Sequence, residues 1–414
     1  MKKLFVYLMV LSILLTSCGK QDDFTETSSE PLYYMETEIY GYNVYEDHTE
    51  LTEFFGSAYE TVEIPEEFYD SEAKKNKPLT VIGESAFNQD SGARYVVIPD
   101  TVTEIKSGAF RDCSGMETVT IGKNVRYIRN GAFSRCSTLR EIVIPDSVEI
   151  IEDFAFFKCA TATKLTLGKN LSYIGDNAFE GTVSLEEIKG GDNLYAVGSS
   201  VFVKSPWLEN LKDEFSGIGK VLLKYNGTDS EITVPEKFTA VADAFTKNTE
   251  ITSITFPNGF KSIGNNAFAD CNALKKVSIP ESVTMVGCNA FTGTPFFDHL
   301  EDADGFCVVG DGVLLKYTGS STSIKIPDNI KYISDAFLGN EMLVEVKIGD
   351  NTEIIGRDAF AECSALNMVV ISPSVKFIDE YAFSDCDITE FYTSGNKYAY
   401  NWAKDSVFKN FVIE

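Results

Sequence analysis

Histidine is nearly missing. His48 and His299 are the only two in 414 residues, so a His-ligated metal centre or a His-based acid–base pair has almost nothing to be built from. Basic residues are also scarce, 36 against 62 acidic ones, for a formal net charge of −26. That balance argues against nucleic acid and against charge-driven docking on anionic lipid, since both need basic patches. No Cys-x-x-Cys pair exists among the nine cysteines, which argues against a zinc or dithiol motif. Gly217-Ile218-Gly219-Lys220 is followed by Val221 and lacks the spacing of a phosphate loop. What is present excludes whole-chain disorder, because 30 Phe and 19 Tyr demand a buried interior. One compact core rarely grows past about 250–300 residues. A chain of 414 residues is therefore several domains or an extended array.

The first residues read as an address. Met1-Lys2-Lys3 is basic, and Leu4 to Thr16 is an apolar run too short for a permanent membrane helix. Leu15-Thr16-Ser17-Cys18 resembles the bacterial lipoprotein box, in which the cysteine is lipidated and becomes the mature N-terminus. The resemblance implies a signal peptide over 1–17, lipidation at Cys18 and anchoring by several acyl chains. Residues 18–31 are polar and acidic and read as a flexible tether. Within it, Asp22-Asp23 resembles the acidic surface-export signal of lipoproteins in some Gram-negative anaerobes.

One period organises the rest. Phe87, Phe110, Phe133, Phe156, Phe179 and Phe202 stand 23 residues apart. The series resumes at Phe245, Phe268 and Phe291, and again at Phe337, Phe360 and Phe383, with the same step of 23. Each follows Ala except Phe202, which follows Val201. Outside the two gaps a second pattern follows the Phe, as in Met116-x-x-Val119-x-Ile121-x-x-Asn124 and Leu343-x-x-Val346-x-Ile348-x-x-Asn351. The apolar-x-apolar pair predicts a strand with alternate residues inward. The closing Asn, Ser or Thr is expected to point inward and bond backbone groups where the strand turns. The Ala-Phe half predicts a short helical turn on the opposite wall, with Ala permitting close approach. A single unit cannot bury its apolar side, so neighbours must stack.

The strand pattern is that of leucine-rich repeats. Together with Ile98-Pro99, Ile121-Gly122 and Ile144-Pro145, the segment Val102-Thr103-Glu104-Ile105, and the Ala-Phe-x-x-Cys tails, it resembles the BspA-like leucine-rich-repeat family of bacterial surface proteins. The likeness runs from about residue 33 to 414. It implies a repeat solenoid with a parallel β-sheet on one face and helical turns on the other. Residues 32–82 are expected to form entry and capping rungs, 83–386 the solenoid and 387–414 a C-terminal cap. The cap is expected to hold an amphipathic helix around Tyr398–Ala403 and a last strand at Phe411–Ile413. The resemblance implies a cell-surface protein, as several members are implicated in adhesion to host matrix proteins or to other cells, and it brings no shared catalytic motif, so only Cys18 carries a role across.

Two gaps in the period, near 205–231 and 294–323, hold related sequence. Ser205-Pro206-Trp207 matches Thr294-Pro295-Phe296, and Val221-Leu222-Leu223-Lys224-Tyr225 matches Val313-Leu314-Leu315-Lys316-Tyr317. Each predicts a hairpin between that strand and the next (Ile232–Val234, Ile324–Ile326), projecting from one edge. A duplicated decoration is preferred here to a pair of contact features. Both following rungs reach Ala-Phe one residue early.

Candidate chemistry is thin. Cys113, Cys136, Cys159, Cys271, Cys363 and Cys386 share one column, three residues after Phe, where other rungs carry Thr182, Asn248 or Asn340. Free buried thiols are expected, because the parallel Cβ vectors of stacked rungs suit a disulfide badly. Cys288 and Cys307 lie off the column. Asp298 to Asp311 hints at a calcium loop, but Leu300 fills the first ligand position and Asp311 replaces the terminal Glu. A solvated acidic loop with an exposed His299 is preferred, and no metal or cofactor is expected.

The strands' outward residues would form the concave sheet face on which leucine-rich repeats bind. They are Tyr95, Val97, Thr118, Thr120, Glu141, Val143, Lys164, Thr166, Glu187, Lys189, Ser253, Thr255, Lys276, Ser278, Glu345 and Lys347. These β-formers of mixed polarity suit a broad protein contact. The expectation is a lipid-anchored, exported binding scaffold and not an enzyme. Its partner would be a protein, from host matrix or another cell's surface. The membrane would be met only through the N-terminal lipid, and nucleic acid not at all. Carbohydrate capture and a passive envelope role stand as alternatives.

Overall fold

The structure, a computed structural model, describes residues 31–404 and the backbone of 412–413. The signal segment 1–17, Cys18 and nearly all of the tether lie outside the described residues. Two compact units divide at Lys224/Tyr225.

The first unit opens with an antiparallel meander of Tyr33–Glu36, Tyr40–Val44 and Thr49–Phe54. The third strand pairs in parallel with Lys75–Ile82, onto which Glu67–Asp70 folds back. From there each coil lays down three walls. The first wall is a ladder of three-residue strands: Thr61–Glu63, Tyr95–Val97 and Thr118–Thr120, then Glu141–Val143, Lys164–Thr166 and Glu187–Lys189. The second continues from Lys75–Ile82 through Glu104–Ile105, Tyr127–Ile128, Ile150–Ile151 and Tyr173–Ile174 to Ala196–Val197. Thr61–Glu63 meets residues 34 further on, and every later pairing is parallel with residues 23 apart in sequence as lateral neighbours.

The third wall carries the Ala-Phe pairs, and it too is a ladder. Phe110 N–H donates to Ala132 O at 2.7 Å, Phe133 to Ala155 at 2.7 Å and Phe156 to Ala178 at 2.8 Å. Its turns are single ones, such as Ala109 N to Lys106 O at 3.2 Å and Arg111 N to Gly108 O at 2.9 Å. They do not extend into helix, because left-handed residues stand two before and two after the ring, at Gly108 (φ 62°) and Asp112 (φ 59°). The leading position favours residues that tolerate positive φ, such as Gly108, Gly131 and Asn177; Phe154, at φ 56°, is the bulky exception.

Stacking fixes the interior. Ring centroids run from Phe87 to Phe110 at 4.7 Å, to Phe133 at 5.0 Å, to Phe156 at 5.1 Å, to Phe179 at 5.2 Å and to Phe202 at 5.5 Å. Planes between Phe110 and Phe179 differ by no more than 6°. This spacing is close to the strand separation of a β-sheet, so the file of rings follows from in-register coils. Ala109, Ala132, Ala155 and Ala178 are fully buried, which lets the backbone close over the rings.

The second unit repeats the plan. Glu231–Thr233, Ser253–Thr255 and Lys276–Ser278 form one ladder, and Ala240–Val241, Ser262–Ile263 and Met285–Val286 another. After the second insertion, Ser323–Lys325, Glu345–Lys347, Met368–Val370, Glu390–Tyr392 and Val412–Ile413 form a further ladder. Rings stack from Phe245 through Phe268 to Phe291, and again from Phe337 through Phe360 to Phe383. The last file ends against Trp402, on a helix, Lys397–Lys404, that buries Ala399, Trp402 and Ala403.

Two expectations need correction. The closing Asn of each strand pattern is exposed, not inward. It bonds across to the preceding coil, as Asn124 Nδ2 does to Asp100 O at 2.7 Å and Asn351 Nδ2 to Asp328 O at 2.8 Å. The insertion hairpins pair one strand earlier than expected, Phe215–Ile218 with Val221–Tyr225 and Phe306–Val309 with Val313–Tyr317. Val313–Tyr317 then pairs in parallel with Tyr332–Ile333, so it is itself a rung. The hairpin turns lie along the preceding coil, with Lys220 N on Leu194 O at 3.0 Å and Asp311 N on Val283 O at 2.7 Å. A Cβ at Gly310 would stand 2.2 Å from Val283 O, so this close turn needs glycine.

Candidate functional site

Period-two alternation positions the candidate residues. On Tyr95–Val97 and Glu141–Val143 the middle residue is buried and the flanking two are exposed. The register sets Tyr95 beside Thr118 and Val97 beside Thr120, then Glu141–Lys164–Glu187 and Val143–Thr166–Lys189 in two rows. In the second unit it sets Ser253 beside Lys276 and Thr255 beside Ser278. Glu345 and Lys347 lie on the later ladder, beside Met368 and Val370. The sixteen residues therefore fall into four lateral groups. The strand pairing lapses between Thr118–Thr120 and Glu141–Val143, which belong to separate sheets.

The face is chemically mixed. Val97 and Val143 are exposed β-branched side chains, 39% and 49% accessible. Glu141, Lys164 and Glu187 alternate in sign across neighbouring strands, a favourable arrangement in a sheet. Lys189 pairs with Glu187 at 3.0 Å and holds its carboxyl below the usual carboxylate range. Beside the face, charges pair between coils: Asp146 with Lys169 at 2.7 Å, and Glu117 with both Arg94 and Arg140. The outer side of the second ladder is more closed. There Arg129 lies buried between Glu104 and Glu152, with Nη1 to Glu152 Oε1 at 2.9 Å.

The cysteine column is structural. All eight described cysteines are free. Each column thiol donates to the carbonyl of the preceding coil's Phe: Cys113 to Phe87 at 3.0 Å, Cys136 to Phe110 at 3.2 Å, Cys159 to Phe133 at 3.3 Å. Cys271, Cys363 and Cys386 repeat this at 3.0 to 3.1 Å. Burial pushes the Cys159 thiol up to about 12 and the Cys271 thiol to about 11, so both stay protonated and unreactive. Where Thr182 or Ser205 replaces Cys, its hydroxyl donates to its own coil's Phe carbonyl. Asn248 and Asn340 instead accept backbone N–H groups two and three residues on.

Three arrangements escaped sequence reasoning. The Lys of each Leu-Leu-Lys-Tyr motif latches a short helix. Lys224 Nζ donates to Leu208 O and Glu209 O, both at 3.1 Å, at the end of Pro206–Glu209. Lys316 Nζ donates to Phe297 O at 2.8 Å and Asp298 O at 3.3 Å, at the end of Pro295–Asp298. The recurrence of the motif in both insertions was the available signal. In the entry region Lys77 and Asp70 form a buried ion pair at 2.7 Å, to which Tyr33 OH also donates. Nothing in the spacing of those residues announces it. The third arrangement surrounds Cys288, whose Sγ lies 3.0 Å from Asp358 Oδ2 and 3.1 Å from Asn289 Nδ2. Asp335 accepts from Asn289 N at 2.6 Å close by. Burial raises Asp335, and raises Asp379 to about 6. No group of His, Cys, Asp and Glu suited to a metal ion occurs among the described residues. In the acidic loop, Asp302 Oδ1 accepts from Asp304 N at 2.9 Å, a local turn, and His299 is exposed.

The family model described as BspA type leucine rich repeat region matches residues 80–209, 210–307 and 308–411, with six copies. Among solved structures, a leucine rich cell surface protein from Faecalibacterium prausnitzii is 23% identical, over 83% of this chain and 95% of that one, with a TM-score of 0.38. A leucine-rich repeat protein from Bacteroides capillosus is 32% identical over 28% of this chain and 85% of its own, with a TM-score of 0.27. The pneumococcal vaccine antigen PcpA is 16% identical over 93% of this chain and 99% of its own, at 0.35. No curated protein matches the chain.

Proposed function

Because this chain belongs to the BspA-type leucine-rich-repeat family, we propose that it is a binding scaffold displayed on a bacterial surface, held there by lipid on Cys18. One observation carries the binding role. Inward residues of the ladders are apolar coil after coil, whereas the outward ones from Tyr95 to Lys189 vary freely between β-branched, hydroxyl, acidic and basic. Packing alone dictates the first set and leaves the second free for recognition. A pre-ordered β surface spends little entropy on binding, which suits a folded protein partner such as a matrix component. The signal-like segment and the Leu15-Thr16-Ser17-Cys18 box support export and anchoring.

The test is saturable binding of the full-length chain to a panel of immobilised matrix proteins. Binding to one of them, lost when Val143→Glu and Thr166→Glu are introduced together without change in melting, supports the proposal. Equal binding by that variant removes this face from the account.

A further inference from the structure

The two insertions make the second unit its own control. After each, the chain lays down a rung with the same backbone bonds. Thr252 N donates to Ser230 O at 2.7 Å, as Val344 N does to Thr322 O at 2.7 Å, and Lys247 N donates to Ala269 O at 2.8 Å, as Gly339 N does to Ala361 O at 2.8 Å. Asn248 and Asn340 cap the two bends identically. Yet the surface side chains differ. The first rung shows Thr246, Glu250 and Thr252, with the cation Lys247 between them. The second shows Leu338, Met342 and Val344, accessible to 40%, 50% and 37%, with Gly339 in place of the lysine.

An apolar residue at the Val344 position is peculiar to this rung. At the position of Val344 the other regular coils carry Arg94, Glu117, Arg140, Thr163, Glu186, Thr252, Lys275 and Asn367. Leu343, between Met342 and Val344, is fully buried, so the core is filled without these two neighbours. Three exposed apolar side chains on one short coil are a patch that folding does not require. Met368, whose N–H reaches Val344 O at 3.2 Å, extends it with a second flexible thioether.

The border is acidic. Glu341 and Glu362 are exposed beside the patch, Glu345 is half-buried, and Lys347 is the first cation further along the rung. On the preceding side, Tyr317 N bonds Ala336 O at 3.1 Å, bringing the end of the hairpin to the start of this rung. There Thr318 N holds Gly305 O at 2.8 Å, at the foot of the exposed Glu301, Asp302 and Asp304. An apolar centre inside an acidic rim is complementary to a segment that pairs apolar anchors with lysine or arginine.

We propose that Leu338, Met342 and Val344 dock a basic, amphipathic segment of a partner protein. This deepens the binding-scaffold reading by naming a partner chemistry. The test is made on purified protein, so failure of surface display leaves its result untouched.

The probe is a fluorescein-labelled synthetic peptide of leucine and lysine in amphipathic order, and the control replaces lysine with glutamate. The full-length chain is compared with the triple variant Leu338→Thr, Met342→Glu, Val344→Thr, which installs the residues the sister rung already accommodates. The wild type is expected to bind the lysine peptide at least tenfold more tightly than the variant, and more weakly as salt is raised. It should not bind the glutamate peptide. Equal binding by wild type and variant, binding of both peptides alike, or no binding overturns the proposal. So does concentration-dependent self-association of the wild type that the variant loses, which would make a second copy the occupant.

Discussion

Two phenylalanines two residues apart should respond very unequally to substitution. Phe156 is fully buried, with rings 5.1 Å away on one side and 5.2 Å on the other. Its truncation to alanine removes the transfer energy of the ring and leaves a void inside close-packed coils, a loss of about 3–5 kcal/mol. Phe154 is 38% accessible and left-handed at φ 56°. Phe154→Asn loses an edge contact with Phe157 worth about 0.5–1.5 kcal/mol. It regains about 1 kcal/mol by placing a residue that tolerates that backbone, as Asn177 does one coil on (φ 56°). The net change should be under about 1 kcal/mol. The chain carries its own reporters, because its two tryptophans fall one in each unit. Trp207 lies 5.1 Å from Phe202, and Trp402 lies 5.8 Å from Phe391. In a Trp402→Phe background, urea unfolding followed by Trp207 should show a midpoint lowered by about 1 M or more for Phe156→Ala, at a slope of about 1–3 kcal/mol per molar urea. It should scarcely move for Phe154→Asn. A loss below about 1 kcal/mol for Phe156→Ala, or equal losses for both, would refute the stacked file.

Other expectations follow from the same contacts. Cys136→Thr should be tolerated, since Thr182 at that position satisfies its hydroxyl on its own coil's Phe carbonyl, whereas Cys136→Asp should abolish cooperative melting by burying an acceptor against a carbonyl. Buried protonated thiols such as Cys159 and Cys271 should resist a thiol reagent at pH 7 and react only in denaturant, whereas the half-buried Cys386 should be the first described thiol to react. Lys316→Met should cost about 1–3 kcal/mol, as two carbonyls at the helix end lose their cation; melting of the matched Lys224→Met gives the comparison. Two sets of buried carboxyls should respond to pH with opposite sign. Asp379 and Asp335 are raised by burial, so these two groups contribute stability to the second unit that is full below about pH 4, where folded and unfolded chains are both protonated. That contribution is lost as pH rises through about 6. Asp70 is lowered by Lys77, so the first unit's entry region keeps that stability above about pH 4 and loses it on further acidification. Trp402 and Trp207 fluorescence across a pH series of melts reads the two.

The coil length was legible because stacking forces each coil to supply the same side chain to the same column: Phe110, Phe133 and Phe156 had to recur at one interval. Alternation around Val96, Val119 and Ile142 likewise named the outward residues, since a strand has only two faces. The left-handed turns were not legible, because Gly108, Phe154 and Asp358 share a backbone conformation and no chemistry. The hairpins were misplaced because Val313–Tyr317 reads as one strand of a pair whichever neighbour it takes. The Lys77–Asp70 pair arises from a chain reversal outside the period, and around Cys288 the residues two before each Phe, Asn289, Asp335 and Asp358, share a column but no common chemistry. Recognition chemistry was the least legible, since outward residues obey no packing rule. The contrast between Thr246, Glu250 and Thr252 and their counterparts Leu338, Met342 and Val344 emerged only when both rungs had the same backbone.

The most direct measurement is protease treatment of intact cells carrying the full-length chain with an epitope in an exposed loop of the solenoid. A displayed binding scaffold predicts loss of the epitope while a marker inside the envelope survives, and retention of the protein in the soluble fraction when Cys18→Ala is introduced. An epitope protected until the envelope is opened would contradict it.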